Sequence, residues 1–313
     1  MTRVAAVGEC MLELRHVDAE TLALGFGGDT LNTAVYLARC ARYDNVEVDY
    51  VTAVGDDPYS QAMTEWWHRE GIGTDHVARI QGRLPGLYLI RTDDAGERSF
   101  TYYRSESAAR EMFRSPGLRL DRALRDYELI YLSGITLSIL DAESRERLWL
   151  ALDAARAAGG RVAFDTNYRP WGWADLRAAR QAVERTLERT DIALPTLDDE
   201  RQLFGDDDSE ACAQRLLSSG CQEVAVKLGP DGTLVATRTS RRHVPAARAD
   251  RVVDTTAAGD AFNGGYLAAR LAGEDPESAA IEGNMLAAVV IGHAGAVIPS
   301  AAMPGAAQRA PLQ

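Results

Sequence analysis

The residues most able to do chemistry lie in one loop near the carboxyl end of the chain, residues 253–265, where small side chains lead into an apolar, helix-like run. Small residues let backbone N–H groups crowd together. At the start of a helix such groups bind the negative charge that develops on a transferring phosphoryl group. Asp260 lies in the same turn, and a carboxylate beside bound phosphate is useful when it accepts a hydroxyl proton. We therefore predict that Asp260 is a general base.

A second polar loop, Gly25 to Thr33, places glycines and hydrogen-bonding side chains just before another helical segment. Such a loop suits a ligand with many hydroxyl groups. It is not a dinucleotide fingerprint, because Thr30 stands in place of the third glycine, and the chain has no Walker A lysine loop.

The run Asp254 to Phe262 reads Asp-Thr-Thr-x-Ala-Gly-Asp-x-Phe and resembles the signature of the PfkB, or ribokinase-like, carbohydrate kinases. The resemblance implies that Ala257, Ala258 and Gly259 form an anion hole with Asp260, which acts as the catalytic base. Many members have glycine where this chain has Ala257. We therefore expect that position 257 does not need a strongly positive φ.

The family also assigns roles to the earlier loop, where Gly-Gly-Asp-x-x-Asn binds sugar hydroxyls. In this sequence the matching residues are Gly28, Asp29 and Asn32. For Asp29, simple capping of the following helix is the alternative.

A turn after the strand-like run ending at Lys227 resembles the family's stretch along the ATP ribose and phosphates. It implies nucleotide contacts for Lys227, Gly229 and Gly232. Lys227 is the only lysine in the chain. Its survival by chance in an arginine-rich composition is the alternative explanation.

Asn167 and Arg169 directly follow another buried-looking strand, at the edge where open α/β sheets bind ligands. The resemblance implies that both lie beside substrate and phosphates. Thr196 stands where many members carry the asparagine of a magnesium-organising motif, so we assign no direct metal ligand to Asp199 or Glu200. Mg²⁺ is expected to bridge phosphate oxygens of ATP.

Substrate choice depends on residues 84–105, where Tyr88, Tyr102 and Arg104 are candidates to face the sugar together with Arg169. A sugar acid needs a cation, ideally the planar fork of arginine. Similarity along most of the chain to 2-keto-3-deoxygluconate kinases implies ATP-dependent phosphorylation of that sugar acid at its C6 hydroxyl. The alternatives are the C4 epimer, fructose or another sugar or sugar acid, and a sugar-sensing binding protein on the same scaffold.

These residues must be positioned by a fold, and short β-branched runs alternate with helix-length segments along the chain. This pattern predicts an α/β, ribokinase-like domain over residues 1–313, with a mainly parallel central sheet flanked by helices. Residues 10–27 and 84–105 predict a small antiparallel β lid, with a hairpin turn at residues 93–96. Residues 304–313 predict a loose tail.

Composition excludes several other functions. A net charge of −12 disfavours nucleic acid as a partner. The 4 cysteines have no metal-ligand spacing, and no apolar run is long enough for a signal peptide or a membrane span. We expect a cytoplasmic protein without a membrane partner, a homo-oligomer whose ligands are a small sugar acid and ATP.

Overall fold

The β-branched runs of the sequence form one large sheet in a computed structural model that describes residues 1–18, 20–41, 45–92, 98–114 and 120–304. Its ten strands in these ranges are β1 (Thr2–Val7), β4 (Val46–Val54), β5 (Ile72–Gly73), β6 (Val77–Arg79), β9 (Leu129–Ser133), β10 (Arg161–Asp165), β11 (Ile192–Ala193), β12 (Glu223–Lys227), β13 (Thr233–Thr237) and β14 (Arg241–Val244). The order is β14-β13-β12-β11-β10-β9-β1-β4-β5, with β6 also paired to β4. All pairs are parallel except β12–β13 and β13–β14. The predicted, mainly parallel sheet is confirmed.

Both faces of this sheet are buried. Along β1, Val4 and Ala6 belong to one apolar cluster, whereas Ala5 and Val7 belong to another on the opposite face. Successive side chains of a strand point to opposite faces, so helices must cover both sides.

The covering helices in the described ranges are α1 (Asp29–Cys40), α2 (Pro58–Arg69), α3 (Leu120–Ala123), α4 (Gly134–Ile139), α5 (Ala142–Ala157), α6 (Leu176–Leu187), α7 (Leu197–Phe204), α8 (Ser209–Ser218), α9 (Ala258–Leu271) and α10 (Pro276–Val290). None of them is long and apolar enough to cross a membrane.

Helix starts differ in their caps: α4 is capped by the Ser133 side chain, and α7 begins at Thr196 without a side-chain cap. Five helices begin at an aspartate whose side chain accepts backbone N–H groups of the first turn, a cap worth about 1 kcal/mol each. These caps are Asp57, Asp141, Asp175, Asp208 and Asp275. By contrast, α1 and α9 begin at Gly28 and Ala257 without a side-chain cap. At α9 the Ala258 N–H donates to the backbone oxygen of Thr255 at 3.2 Å, whereas no side chain caps the N–H groups that follow, including that of Gly259.

A second sheet contains β2 (Met11–His16), β3 (Leu22–Gly27), β7 (Gly86–Thr92) and β8 (Arg98–Tyr103) in the order β3-β2-β7-β8. The pairs β2–β3 and β7–β8 are antiparallel, and the central pair β2–β7 is parallel. These strands fall within the two ranges predicted for the lid, whose movement stays a prediction. The turn predicted at residues 93–96 and the tail from residue 305 lie outside the described residues.

Candidate active site

Helices α1 and α9 bring Asp260 and Asn32 together. Asn32 Nδ2 donates a hydrogen bond to Asp260 Oδ2 at 2.8 Å, although the two residues are 228 positions apart. Thr33 Oγ1 donates to the backbone oxygen of Asp260 at 3.2 Å. Gly264 makes this close approach possible, because a Cβ there would lie 2.6 Å from Cβ of Tyr36. The predicted base and a predicted sugar contact therefore share one site.

The electrostatics of Asp260 suit a base. Burial and the negative charge of Asp29 together raise the pKa of Asp260 to about 8, and the hydrogen bond from Asn32 acts in the opposite direction. Burial also raises the pKa of Asp29, whose Oδ2 accepts a hydrogen bond from Asn167 Nδ2 at 2.8 Å. A carboxyl group with a pKa near the operating pH is an effective proton acceptor.

The junction between the loop and α9 is strained. Ala257 has φ 59° and ψ 15°, the left-handed conformation. Our expectation that this position avoids a positive φ is therefore wrong. A residue with a Cβ pays about 1–2 kcal/mol for this conformation, which glycine adopts freely. Of the three non-glycine residues with positive φ in the described ranges, Ala257 and Asn167 both belong to the site, as is common for functional residues.

Lys227 is buried beside the start of α9. Its Nζ donates to Asp165 Oδ2 at 2.6 Å and to Asn263 Oδ1 at 3.1 Å, and Asn263 Nδ2 donates to the same Asp165 oxygen at 2.7 Å. Nζ would lie 3.5 Å from a Cβ on Gly259, so the ammonium borders the predicted anion hole. Asp165 and Asn263 were not among the predicted site residues; both hold Lys227 in place.

Arg169 follows β10, four residues after Asp165. Its Nη1 donates to the backbone oxygen of Tyr168 at 2.7 Å and lies 3.3 and 3.4 Å from the two oxygens of Asp199. The Arg169 side chain is 41% exposed, so part of the guanidinium faces solvent. Glu200, in contrast, is fully buried and ion-paired with Arg215 of α8.

Aromatic residues from the second sheet meet the segment after β10. The ring of Tyr102 stacks on Trp171 with 4.7 Å between centroids. Tyr88 is buried and its hydroxyl donates to Glu13, so this hydroxyl already has a partner. Trp171 was not among the predicted site residues; its place directly after the Asn167–Pro170 segment was the available signal.

Arg104 forms a buried ion pair with Glu9. The Nη2 atom donates to Glu9 Oε2, and the side chains are 9% and 1% exposed respectively. Arg104, Tyr102 and Trp171 line a cavity of about 720 Å³, whose wall also includes Leu12 and Ile139. The second sheet contributes Leu12, Leu87 and Tyr103 to its lining, and Asp260 is not part of it.

The predicted glycines have steric reasons for their positions. A Cβ on Gly28 would lie 2.1 Å from the backbone oxygen of Glu9, and one on Gly232 would lie 2.1 Å from that of Val244. Gly229 and Gly232 both have positive φ, 60° and 93°. Nucleotide contacts at these two glycines stay a prediction.

A doubly covered α/β sheet with an uncapped helix start beside a carboxylate of raised pKa is an arrangement suited to a phosphotransferase that acts on a hydroxyl group. Residues 1–303 match the family described as pfkB family carbohydrate kinase. The chain belongs to this family, and the predicted ribokinase-like fold is confirmed.

Relatives named 2-dehydro-3-deoxygluconokinase include one from Dickeya dadantii (strain 3937), 46% identical over 96% of this chain and 98% of that protein. Another, from Escherichia coli (strain K12), is 46% identical over 96% of this chain and 99% of that protein. Among solved structures, aminoimidazole riboside kinase from Salmonella enterica, complexed with its riboside and an ATP analogue, superposes with a TM-score of 0.83 at 26% identity, covering 98% of each chain.

Proposed function

We propose that this chain transfers the γ-phosphoryl group of ATP to the C6 hydroxyl of 2-keto-3-deoxygluconate, the sugar acid called 2-dehydro-3-deoxygluconate in the names of its relatives. The product is 2-keto-3-deoxy-6-phosphogluconate. The observation that carries the proposal is Asp260, a carboxylate of raised pKa held by Asn32 in the first turn of an uncapped helix. A binding protein would have no use for such a base.

In the proposed reaction, Asp260 removes the proton from the C6 hydroxyl while the hydroxyl oxygen attacks the γ-phosphorus of ATP. The bond between the γ-phosphorus and the bridging oxygen breaks, and ADP leaves with that electron pair. No covalent enzyme intermediate forms. The N–H groups at the start of α9, including Gly259, face the charge that spreads over the phosphoryl oxygens.

Lys227, buried beside Gly259, adds a fixed positive charge at the same place. The oxygen-rich edge formed by Asp165 and Asp199 fits a hydrated Mg²⁺, which is usually held by one or two carboxylates together with substrate phosphates. When bound, Mg²⁺ neutralises phosphate charge. Asp165 and Asp199, which accept hydrogen bonds from Lys227 and Arg169, would hold the ion together with the substrate phosphates.

The sugar acid is proposed to lie between this centre and the second sheet. Asp29 accepts hydrogen bonds from its hydroxyls, and Asn32 exchanges hydrogen bonds with them. Gly28 lets the backbone approach the sugar closely. Its carboxylate is assigned to Arg104 or Arg169, the two arginines that the sequence placed beside the sugar. Tyr88 and Tyr102 contribute ring surface, because the Tyr88 hydroxyl is engaged by Glu13.

Location in the cytoplasm and a homo-oligomeric state stay predictions from the sequence.

The test is an assay coupled to ADP release with 2-keto-3-deoxygluconate, its C4 epimer, fructose and ribose, followed by ³¹P NMR of the product. We expect turnover of the ketodeoxy acid with phosphate on C6, and its loss in Asp260→Asn. Turnover of neutral hexoses alone would replace the sugar-acid proposal with a fructokinase. Sugar binding without any turnover would contradict the kinase proposal and indicate a sugar-binding protein on the same fold.

A further inference from the structure

The ion pair between Glu9 and Arg104 connects the two sheets. Glu9 follows β1, in the middle of the large sheet, and precedes β2. Arg104 follows β8, the edge strand of the second sheet. Their contact, between residues 95 positions apart, therefore fixes the end of β8 relative to the carboxyl end of β1.

The surrounding backbone leaves room for this pair. A Cβ on Gly86 would lie 2.7 Å from Glu9 Oε1 and 3.2 Å from Cβ of Arg104. Gly28, one of the proposed sugar contacts, passes so close to the backbone of Glu9 that a Cβ would lie 2.1 Å from its oxygen. Glu9 thus contacts both Arg104 and the loop that contains Gly28.

The pair is incompletely satisfied. Glu9 Oε1 and Arg104 Nε are both buried without a hydrogen-bond partner. Burying a guanidinium costs hydration free energy, and an ion-pair partner such as Glu9 offsets that cost. Arginine carries five N–H donors, so Arg104 can keep Glu9 on Nη2 and still offer a donor to a second carboxylate.

We propose that Glu9 is a positioning residue for substrate recognition: it holds Arg104 so that the remaining guanidinium N–H groups face the carboxylate of the sugar acid. Arg104 lines the cavity, whereas Glu9 is not part of its lining. Glu9 is only 2% exposed and its Oε2 accepts a hydrogen bond from Arg104, so it acts on the substrate through Arg104. The inference rests on the proposed function, in which Arg104 binds that carboxylate.

The test compares Glu9→Ala, Glu9→Gln, Arg104→Gln and the double variant Glu9→Ala/Arg104→Gln. Each is assayed with 2-keto-3-deoxygluconate and with an analogue that carries an alcohol in place of the carboxylate. We expect Glu9→Ala to raise KM for the acid by about tenfold or more, and to leave KM for the alcohol and for ATP within about twofold. Glu9→Gln keeps an acceptor of the same size and should recover most of the loss.

The decisive result is the double variant. If Glu9 acts through Arg104, removing Glu9 from Arg104→Gln should change KM for the acid no further. A matched control is Glu223→Ala, which removes the carboxylate of another ion pair, that with Arg270. Glu223 begins β12, at the end of the strand away from Lys227. This control variant should lower thermal stability without changing the preference for acid over alcohol.

Additive effects in the double variant, or an equal rise in KM for acid and alcohol in Glu9→Ala, would overturn the positioning role. If Glu9→Ala does not fold, Glu9→Asp retracts the carboxylate by one methylene and should still raise KM for the acid selectively; an unchanged preference there overturns the role as well. Failure of the proposed function looks different, because wild-type enzyme would then not prefer the acid at all.

Discussion

Replacing Asp260 by asparagine should separate catalysis from stability. The amide has the same shape, and its oxygen can still accept the 2.8 Å hydrogen bond from Asn32. The fold should persist while the proton acceptor is lost. General-base catalysis contributes about 10²–10⁴-fold, so we expect kcat to fall by at least ~10² with KM for ATP little changed.

The same variant should be more stable than wild type at neutral and alkaline pH. Burial and the charge of Asp29 raise the pKa of Asp260 above the value of about 3.9 for an unfolded aspartate. Between these two pKa values the folded state binds more protons than the unfolded state. Wild-type stability is therefore lost as pH rises through this window, and asparagine removes that loss.

The size of the gain follows from the pKa shift, discounted because Asp260 is only half-buried. One pKa unit corresponds to about 1.4 kcal/mol. If at least one unit survives solvent screening, Asp260→Asn should exceed wild type by at least ~1 kcal/mol at pH 9, and the difference should shrink towards pH 4.

Urea unfolding followed by tryptophan fluorescence at several pH values measures the stability, and the ADP-release assay measures kcat. Asp198→Asn is the control, because the Asp198 side chain is 78% exposed. Near-wild-type turnover in Asp260→Asn would refute the base and shift attention to Asp254 or Asp165. A stability difference independent of pH would refute the raised pKa.

Three further predictions follow from the same geometry. Asp29→Asn removes a negative charge that raises the pKa of Asp260, so the acidic limb of the kcat/KM profile should move to lower pH; an unmoved limb would contradict the coupling. Ala257→Gly should raise the urea midpoint, because relief of about 1–2 kcal/mol of left-handed strain exceeds the entropy that glycine adds to the unfolded chain, about 0.4–1 kcal/mol; a lower midpoint would show that Ala257 is unstrained. Saturating sugar should slow amide hydrogen exchange across residues 84–92 and 98–105 if the second sheet closes as a lid, and unchanged exchange would count against closure.

Local patterns were enough to predict the elements and several site segments. Continuous apolar runs such as Leu129–Ser133 predict strands buried on both faces, and the small-residue loop before α9 predicts an open helix start. These signals lie within a few residues of one another, so a single sequence contains them. The family resemblance then attached chemistry to Asp260.

The pairings across the fold were not predictable in the same way. Arg104 was predicted to face the sugar, but its ion pair with Glu9 was not predicted, nor was the hydrogen bond between Lys227 and Asp165, which are 62 positions apart. Such partners depend on which strands lie side by side, which no local pattern specifies. The φ of Ala257 was predicted wrongly because a Cβ disfavours but does not forbid the left-handed region when surrounding contacts determine the backbone.

The most direct test of the central claim is the ratio of kcat/KM for 2-keto-3-deoxygluconate to that for its matched alcohol analogue, measured in wild type and in Arg104→Gln. A charge-assisted hydrogen bond is worth about 1.5–3 kcal/mol, so wild type should prefer the acid by about ten- to a hundredfold, and the preference should collapse in the variant. A wild-type enzyme that treats acid and alcohol alike, or that prefers fructose, would contradict the assignment of a sugar-acid kinase.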